Sequence, residues 1–238
     1  MCGKFTAMMT WGEYCALAGT GTDGGGGDGP KLDEAFVLDK FTPSMKAPVL
    51  HLGPVRQRRI TWMRWGWLKP GAGDPLKEFG LLHARSDKVD NAPTWRESFQ
   101  QRRGVIFARQ FNIGEELPNG KIKQWQCRRP DDGPMALAVI YCSLDIQPIR
   151  LWTFAMITTE ACAPLNSKDN RMPALLTDED EIATWIGELG ASDAELTALL
   201  RPYQGELVIN EQPPSKPTRE RNTTRAKPAT RDPEPTLF

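Results

Sequence analysis

The second residue of the chain, Cys2, has the clearest capacity for covalent chemistry. Aminopeptidases remove an initiator methionine when the next residue is as small as cysteine, which would leave Cys2 with a thiol and a free α-amine. The α-amine has a pKa of about 8 and the thiol one of about 8.5, so both are partly deprotonated at neutral pH. An aldehyde can form an imine with the amine, and the sulfur can then close a thiazolidine ring. The sequence therefore predicts an exposed, nucleophilic aminothiol.

The other cysteines give no sign of a metal site. The chain has five cysteines and two histidines, and no cysteine pair has the Cys-x-x-Cys spacing of zinc ligands. We therefore expect no metal and no cofactor, and free thiols fit a reducing compartment. The N-terminus lacks a signal-peptide pattern, and no apolar run approaches the roughly 18 residues of a membrane span. We expect a monomeric, cytoplasmic protein without membrane attachment.

Charge and hydrophobic patterning predict the elements that must position Cys2. The 238-residue chain has a formal net charge of zero, so any DNA contact must come from a local basic patch. Apolar segments between turn signals predict mainly antiparallel strands at residues 47–52, 59–67, 104–111, 123–127, 135–142 and 151–159. Capping-box spacing predicts helices at residues 10–17, 94–102, 177–189 and 192–199. We expect an α+β fold with one β-rich domain over residues 1–212, followed by a disordered basic Pro/Thr-rich tail over 213–238.

Several short motifs follow Cys2 in a fixed order. They are Met1-Cys2-Gly3-Lys4-Phe5, Trp65-Gly66, His83-Ala84-Arg85, Trp95-Arg96-Glu97, Arg102-Arg103-Gly104 and Asn170-Arg171-Met172-Pro173. With this ordered set the chain resembles the SRAP family, the SOS-response-associated peptidase or abasic-site-processing domain. The resemblance covers roughly residues 2 to 210.

The resemblance implies a compact β-rich fold with a positively charged groove for single-stranded DNA. It also implies that the N-terminal cysteine, once Met1 is removed, attacks the aldehyde of an abasic site. The product would be a thiazolidine cross-link that shields the lesion. The word peptidase reflects loss of the initiator methionine, and the resemblance leaves open whether the protein is an enzyme in the self-processing or lyase-like sense.

The chain departs from the family pattern at three of its four chemical positions. His83 stands at the family's Asn, and Asp169 stands at the family's His. Ungapped spacing places Ile113 at the family's Glu, which leaves proton transfer for sugar-ring opening to Glu115, to Glu116 or to His83. A histidine within reach of a carboxylate can serve as acid or base near neutral pH. The predicted catalytic set is Cys2, His83, Asp169 and Glu115.

Four further positions are predicted to contact DNA, namely Lys4, Trp65, Arg85 and Arg171. The planar forks of Arg85 and Arg171 suit bidentate binding of phosphate oxygens, and Lys4 keeps the family's charge but loses the fork. Trp65 lies among arginines in a pattern that can stack bases, at ~1–3 kcal/mol per base. The alternative for each is an ordinary surface salt bridge or, for Trp65, a place in the core.

The tail ends in Leu237 and Phe238. This ending resembles, imperfectly, the short peptides with which repair proteins dock on the bacterial sliding clamp. Two apolar side chains on a disordered linker can fill a pocket while the linker keeps its reach.

Three functions are compatible with these features. The first is a covalent sensor of abasic sites in single-stranded DNA that acts through Cys2. The second is a non-covalent binding module for single-stranded DNA that has lost the chemistry, as the altered positions would allow. The third is an amidohydrolase or self-processing peptidase with an N-terminal cysteine nucleophile. We adopt the first as the prediction.

Overall fold

A computed structural model describes residues 2–26, 29–69, 78–146 and 148–212. The predicted tail from residue 213 onward, with Leu237 and Phe238, lies outside the described residues. The strands are β1 (Lys4–Thr10), β2 (Val37–Phe41), β3 (Lys46–Leu52), β4 (Arg58–Trp65), β5 (His83–Arg85), β6 (Arg103–Ala108), β7 (Gln110–Glu116), β8 (Ile122–Arg128), β9 (Met135–Ile146), β10 (Ile149–Glu160), β11 (Arg171–Pro173), β12 (Leu175–Leu176) and β13 (Val208–Glu211). The helices are α1 (Trp11–Ala18), α2 (Arg96–Gln101), α3 (Ala163–Asn166), α4 (Glu179–Ile186) and α5 (Asp193–Leu199).

The larger sheet has the order β11-β10-β4-β3-β6-β9-β12. Strand β10 also pairs with β9, so β10, β4, β3, β6 and β9 close into a barrel-like ring. Most pairings are antiparallel, and β10 runs parallel to β4 and to β5. Strands β3, β6 and β9 of this ring are buried along most of their length and contribute to the hydrophobic core. The predicted β-rich α+β fold is confirmed.

The second sheet, in the order β13-β8-β7-β1-β2, carries the N-terminus. Strand β1 lies inside this sheet, with β2 on one side and β7 on the other. The ring of Phe5 stacks on Phe41 at 5.1 Å and reaches Trp65 of the barrel at 5.3 Å. This aromatic contact joins the two sheets and fixes the start of the chain against the core.

The helix starts follow from local side-chain chemistry. Thr10 and Glu13 form a capping box at α1, and Ser192 and Glu195 form one at α5, as predicted. Asp178 caps α4 by accepting a hydrogen bond from the backbone of Glu181. Helix α2 begins after Trp95 without a side-chain cap, so the cap expected from Thr94 is wrong. Within the described residues, no helix is long and apolar enough to cross a membrane.

The strand predicted over residues 104–111 is in fact two strands, β6 and β7. The break falls at Arg109, whose backbone N–H donates to the carbonyl of Thr6 in β1. At this residue the chain leaves the barrel and enters the second sheet. A continuous apolar pattern does not show with which strand each half pairs. The break depends on this tertiary pairing, so the sequence pattern alone does not predict it.

Candidate active site

Cys2 lies immediately before β1 and is completely buried. Its thiol donates a hydrogen bond to the carbonyl of Lys4 at 3.3 Å. Burial raises the pKa of the Cys2 thiol to about 11, and backbone hydrogen bonds with Lys4 and Asn112 offset this only in part. The prediction of an exposed nucleophile is therefore wrong for the full chain. Because β1 packs against the barrel, it carries the residue before it into the interior.

The imidazole of His83 contacts Cys2 directly. Its Nε2–H donates to the Cys2 carbonyl oxygen at 2.7 Å, which leaves Nδ1 as the basic nitrogen of the neutral ring. The ring meets Trp65 edge-on, with centroids 6.2 Å apart. Burial lowers the pKa of His83, and the hydrogen bond with Cys2 and the charge of Asp169 oppose this shift. Strand β5 thus brings His83 beside Cys2 across 81 residues of sequence.

Asp169 lies near both of these groups. Its side chain is half-buried, and its Oδ1 accepts the backbone N–H of Arg171 at 3.0 Å. The negative charge of Asp169 adds to the effect of burial in raising the pKa of the Cys2 thiol. The same charge raises the pKa of the His83 imidazole and so opposes the effect of burial there. Three of the four predicted catalytic residues are therefore neighbours.

Replacing His83 with glutamine is expected to change how the free energy of unfolding depends on pH. Burial holds the pKa of folded His83 below its ordinary value of about 6.5. Its stabilising contribution is therefore complete above about pH 6.5 and is lost as the pH falls toward the folded pKa. Denaturant titrations from about pH 7 down to pH 5 should show a steeper loss for the wild type than for His83→Gln. Equal slopes would contradict a buried neutral imidazole.

A cluster of amides stands beside Cys2 and was missed by the sequence analysis. The Gln212 Oε1 accepts hydrogen bonds from Lys4 Nζ at 3.1 Å and from Asn112 Nδ2 at 2.7 Å. Gln110 Nε2 donates to Asn112 Oδ1 at 3.2 Å. Asn112 is fully buried and pairs with Lys4 across β1 and β7. We call these four residues, Lys4, Gln110, Asn112 and Gln212, the amide cluster.

The alternation of side chains along β7 is the feature of the sequence that could have indicated a role for Asn112. Phe111 and Ile113 are buried apolar residues of β7, so the side chain of Asn112 between them points to the other face, while its backbone hydrogen-bonds with the Cys2 thiol. Ungapped spacing had placed Ile113 at the family's Glu position. Ile113 is fully buried and apolar, and Asn112 is the residue of this segment that contacts the thiol.

Glu115 and Glu116 lie farther along β7. The Glu115 carboxylate accepts the indole N–H of Trp125 at 2.8 Å, and Glu116 is exposed at the end of the strand. Lys123 and Lys168 lie over the Trp125 ring at 4.6 and 4.5 Å. Among the contacts of the described residues, none joins Glu115 to Cys2 or His83. The structure does not bring Glu115 into the predicted catalytic set.

The two predicted phosphate-binding arginines differ sharply in exposure. Arg85 is exposed, and its guanidinium donates to both carboxylate oxygens of Asp87, from Nε at 3.0 Å and from Nη2 at 2.9 Å. Arg171 is 6% exposed, and it donates to the carbonyl and the hydroxyl of Thr158. It also approaches Asp87 at 3.7 Å. The prediction that Arg171 contacts DNA is wrong, because its guanidinium is committed to strand β10 and to Asp87.

Trp65 is a core residue. It is fully buried, its ring stacks on Phe154 at 6.1 Å, and its indole N–H donates to the Leu82 carbonyl. The prediction that Trp65 stacks on a base is therefore wrong. Gly66 explains the Trp-Gly pair: its φ is 130°, and a Cβ there would meet the Phe79 carbonyl at 2.4 Å.

Among the cavities formed by the described residues, two lie elsewhere in the fold. One of about 390 Å³ lies between the start of α4, β12 and Tyr203, and one of about 580 Å³ lies beside Trp11 and Trp62. Neither is lined by Cys2 or His83. In the described ranges, no group of three or more acidic, histidine or cysteine side chains could hold a metal ion.

The sequence and the fold have close counterparts among known proteins. A family model described as SOS response associated peptidase (SRAP) matches residues 1–212. "Abasic site processing protein YoqW" of Bacillus subtilis (strain 168) is 24% identical over 219 residues, covering 87% of this chain and 89% of that protein. "Abasic site processing protein HMCES" of Rattus norvegicus is 24% identical over 213 residues, covering 69% of this chain and 59% of that protein.

Solved structures give the same fold. A crystal structure of a protein from Bacteroides thetaiotaomicron superposes with a TM-score of 0.69 at 18% identity, covering 88% of this chain and 91% of that one. A crystal structure from Bordetella bronchiseptica also gives 0.69 at 18% identity, covering 89% and 100%. At this identity, the likeness concerns the fold alone.

Proposed function

Because this chain belongs to the SOS response associated peptidase (SRAP) family, we propose that its mature form, beginning at Cys2, captures abasic sites in single-stranded DNA as a thiazolidine cross-link. Relatives from Bacillus subtilis and Rattus norvegicus are named abasic site processing proteins, which supports this substrate. The observation that carries the proposal is the 2.7 Å hydrogen bond from His83 to Cys2. It places a titratable ring at the one residue able to supply both amine and thiol.

The reaction proceeds in two balanced steps. The α-amine of Cys2 adds to the open-chain aldehyde and forms an imine with loss of one water molecule. The thiol then adds across the C=N bond, so that a C–S bond forms and the thiol proton ends on nitrogen. The raised pKa of the thiol means that it stays protonated at neutral pH, so the amine makes the first attack.

His83 is the residue that moves protons in this scheme. Its Nε2–H is committed to the Cys2 carbonyl, so Nδ1 is the site that accepts or returns a proton. Asn112 cannot take this role, because a carboxamide does not ionise and its amide groups are bonded to Gln212 and Gln110. Ring opening of the sugar is therefore also assigned to His83 in this proposal.

Charge near the site fits a polyanionic strand. Lys4 and the exposed Arg85 lie on the strands next to Cys2 and His83, and each is a candidate for phosphate contact. Such contacts act without reading sequence and weaken as salt rises. A protein that traps a lesion in any sequence needs this kind of binding.

A non-covalent binding module is the second candidate, and one observation favours it. The Cys2 thiol is fully buried with a pKa raised to about 11, which opposes nucleophilic attack by sulfur. In this alternative, the same strands bind single-stranded DNA and no bond forms.

Incubating the protein with an oligonucleotide that carries one abasic site distinguishes the two candidates. The covalent proposal predicts a complex that survives boiling in denaturant. Its intact mass should equal protein without Met1 plus oligonucleotide less one water molecule. A control oligonucleotide with a reduced abasic site, which lacks an aldehyde, should give no such complex. Retention of Met1, or binding without any denaturant-stable complex, would favour the non-covalent module.

A further inference from the structure

The side chain of Lys4 brings a second amine into the amide cluster, one member of which, Asn112, contacts Cys2. Asn112 contacts both residues, since its backbone hydrogen-bonds with the Cys2 thiol and its side chain shares the Gln212 oxygen with Lys4. Lys4 also pairs with Asn112 across β1 and β7. Because Asn112 is fully buried, this arrangement holds the Lys4 amine at the edge of the same site.

The partner of the Lys4 amine is uncharged. Gln212 offers its carboxamide oxygen at 3.1 Å, and no carboxylate of the described residues forms an ion pair with Lys4. Glu211, the last residue of β13 and the neighbour of Gln212 in the sequence, is paired with Lys123 at 2.9 Å. A neutral acceptor orients an amine through hydrogen bonding and stabilises its charged form less than a carboxylate would.

The surroundings also destabilise the charged form of the amine. Partial burial lowers the pKa of Lys4, the charge of Lys40 lowers it further, and the charge of Asp39 opposes both effects. A lysine whose ammonium is destabilised in this way is a better nucleophile toward carbonyls at neutral pH.

We propose that the Lys4 amine, held beside Cys2 by Gln212, is a second carbonyl-reactive nucleophile of this site that forms an imine with the abasic-site aldehyde. The inference rests on the proposed function for its substrate. The amine adds to the aldehyde carbon, one water molecule leaves, and a C=N bond joins Lys4 to the sugar. This adduct is reversible by hydrolysis, and sodium borohydride converts it to a stable secondary amine by delivering hydride to carbon.

Borohydride trapping in a Cys2→Ala background tests the proposal. The abasic oligonucleotide is incubated with Cys2→Ala and borohydride, and peptide mapping by mass spectrometry locates the adduct. The α-amine of the mature N-terminus can also react, so mapping separates the two amines. The expected result is an adduct on Lys4 that falls at least roughly tenfold in Cys2→Ala/Lys4→Arg, because arginine stays protonated and does not form imines.

Lys40→Arg in the same background is the matched control. Lys40 is exposed on the neighbouring strand β2, and arginine keeps the charge that it presents to Lys4. The Lys4 adduct should be unchanged in this variant. In the Cys2→Ala parent, an adduct spread evenly over Lys4 and Lys40, or one absent from Lys4, would overturn the proposal.

Gln212→Glu supplies a second readout. A carboxylate in place of the carboxamide would raise the pKa of Lys4, so the trapping yield should need a higher pH to reach the same level. An unchanged pH profile would overturn the role of Gln212. Failure of the Lys4 proposal can be told apart from failure of the proposed function. The cross-link of wild-type Cys2 forms without borohydride, so it is measured in a separate experiment.

Discussion

Cys2→Ser is expected to abolish the denaturant-stable complex with abasic DNA. Serine keeps the size of the side chain and the free α-amine of the mature N-terminus. Its hydroxyl is a far weaker nucleophile than a thiol, so ring closure after imine formation should fall at least about a hundredfold. The measurement is the yield of complex on a denaturing gel over time, with the wild type run in parallel.

Cys142→Ser is the matched control for this experiment. Cys142 is also buried, and its thiol donates to the Leu68 carbonyl at 3.2 Å, a bond that a serine hydroxyl can replace. This variant should keep the wild-type yield. A Cys2→Ser protein that still forms the complex at the wild-type rate would refute the cysteine mechanism. In that case the imine of the α-amine, without any bond to sulfur, would account for the stable complex.

Trp65→Ala is expected to lower the free energy of unfolding by about 3–5 kcal/mol. The ring fills the junction between the two sheets, against Phe5 and Phe154, and its indole N–H satisfies the Leu82 carbonyl. Its removal leaves a cavity and takes away one of the two hydrogen bonds of the Leu82 carbonyl, which also accepts the backbone N–H of Met156. Denaturant unfolding monitored by circular dichroism measures the loss from the shift in midpoint.

Trp65→Phe separates the core role from a role in DNA binding. Phenylalanine keeps most of the packing and loses the indole N–H, so the loss of stability should be much smaller than for alanine. Affinity for single-stranded DNA should stay at the wild-type level in Trp65→Phe, because the side chain is fully buried. A stable Trp65→Ala protein with weakened DNA binding would restore the base-stacking interpretation.

Local chemistry made several elements predictable from sequence. Thr10 with Glu13 and Ser192 with Glu195 set helix starts through contacts three residues apart, which need no tertiary structure. The strands of the barrel were recognisable from apolar and β-branched runs between turn signals, since short runs of this kind are typical of buried strands. The contact of His83 with Cys2 was anticipated from the family's motifs, because His83 stands at one of the family's chemical positions.

The amide cluster was not predictable in this way. Asn112 contacts the thiol because β7 pairs with β1 in one register, and a shift by one residue would bring Ile113 there instead. Gln212 joins it because β13 pairs with β8, and its backbone N–H donates to the Gln124 carbonyl at 2.8 Å. Asn112 and Gln212 are 100 residues apart in the sequence. Their contact depends on the register of the strands, which only the tertiary structure sets. The predictions that Trp65 and Arg171 contact DNA were wrong for a related reason. A sequence motif does not show whether a side chain faces solvent or the core.

The interior position of β1 has a consequence for how the protein matures. Strand β1 cannot be enclosed until β7, about a hundred residues later, has left the ribosome, which takes on the order of ten seconds at roughly 5–20 residues per second. During this interval the nascent N-terminus is open to the enzyme that excises the first methionine. Folding then closes over Cys2, so the proposed function requires that Met1 be removed before β1 is enclosed.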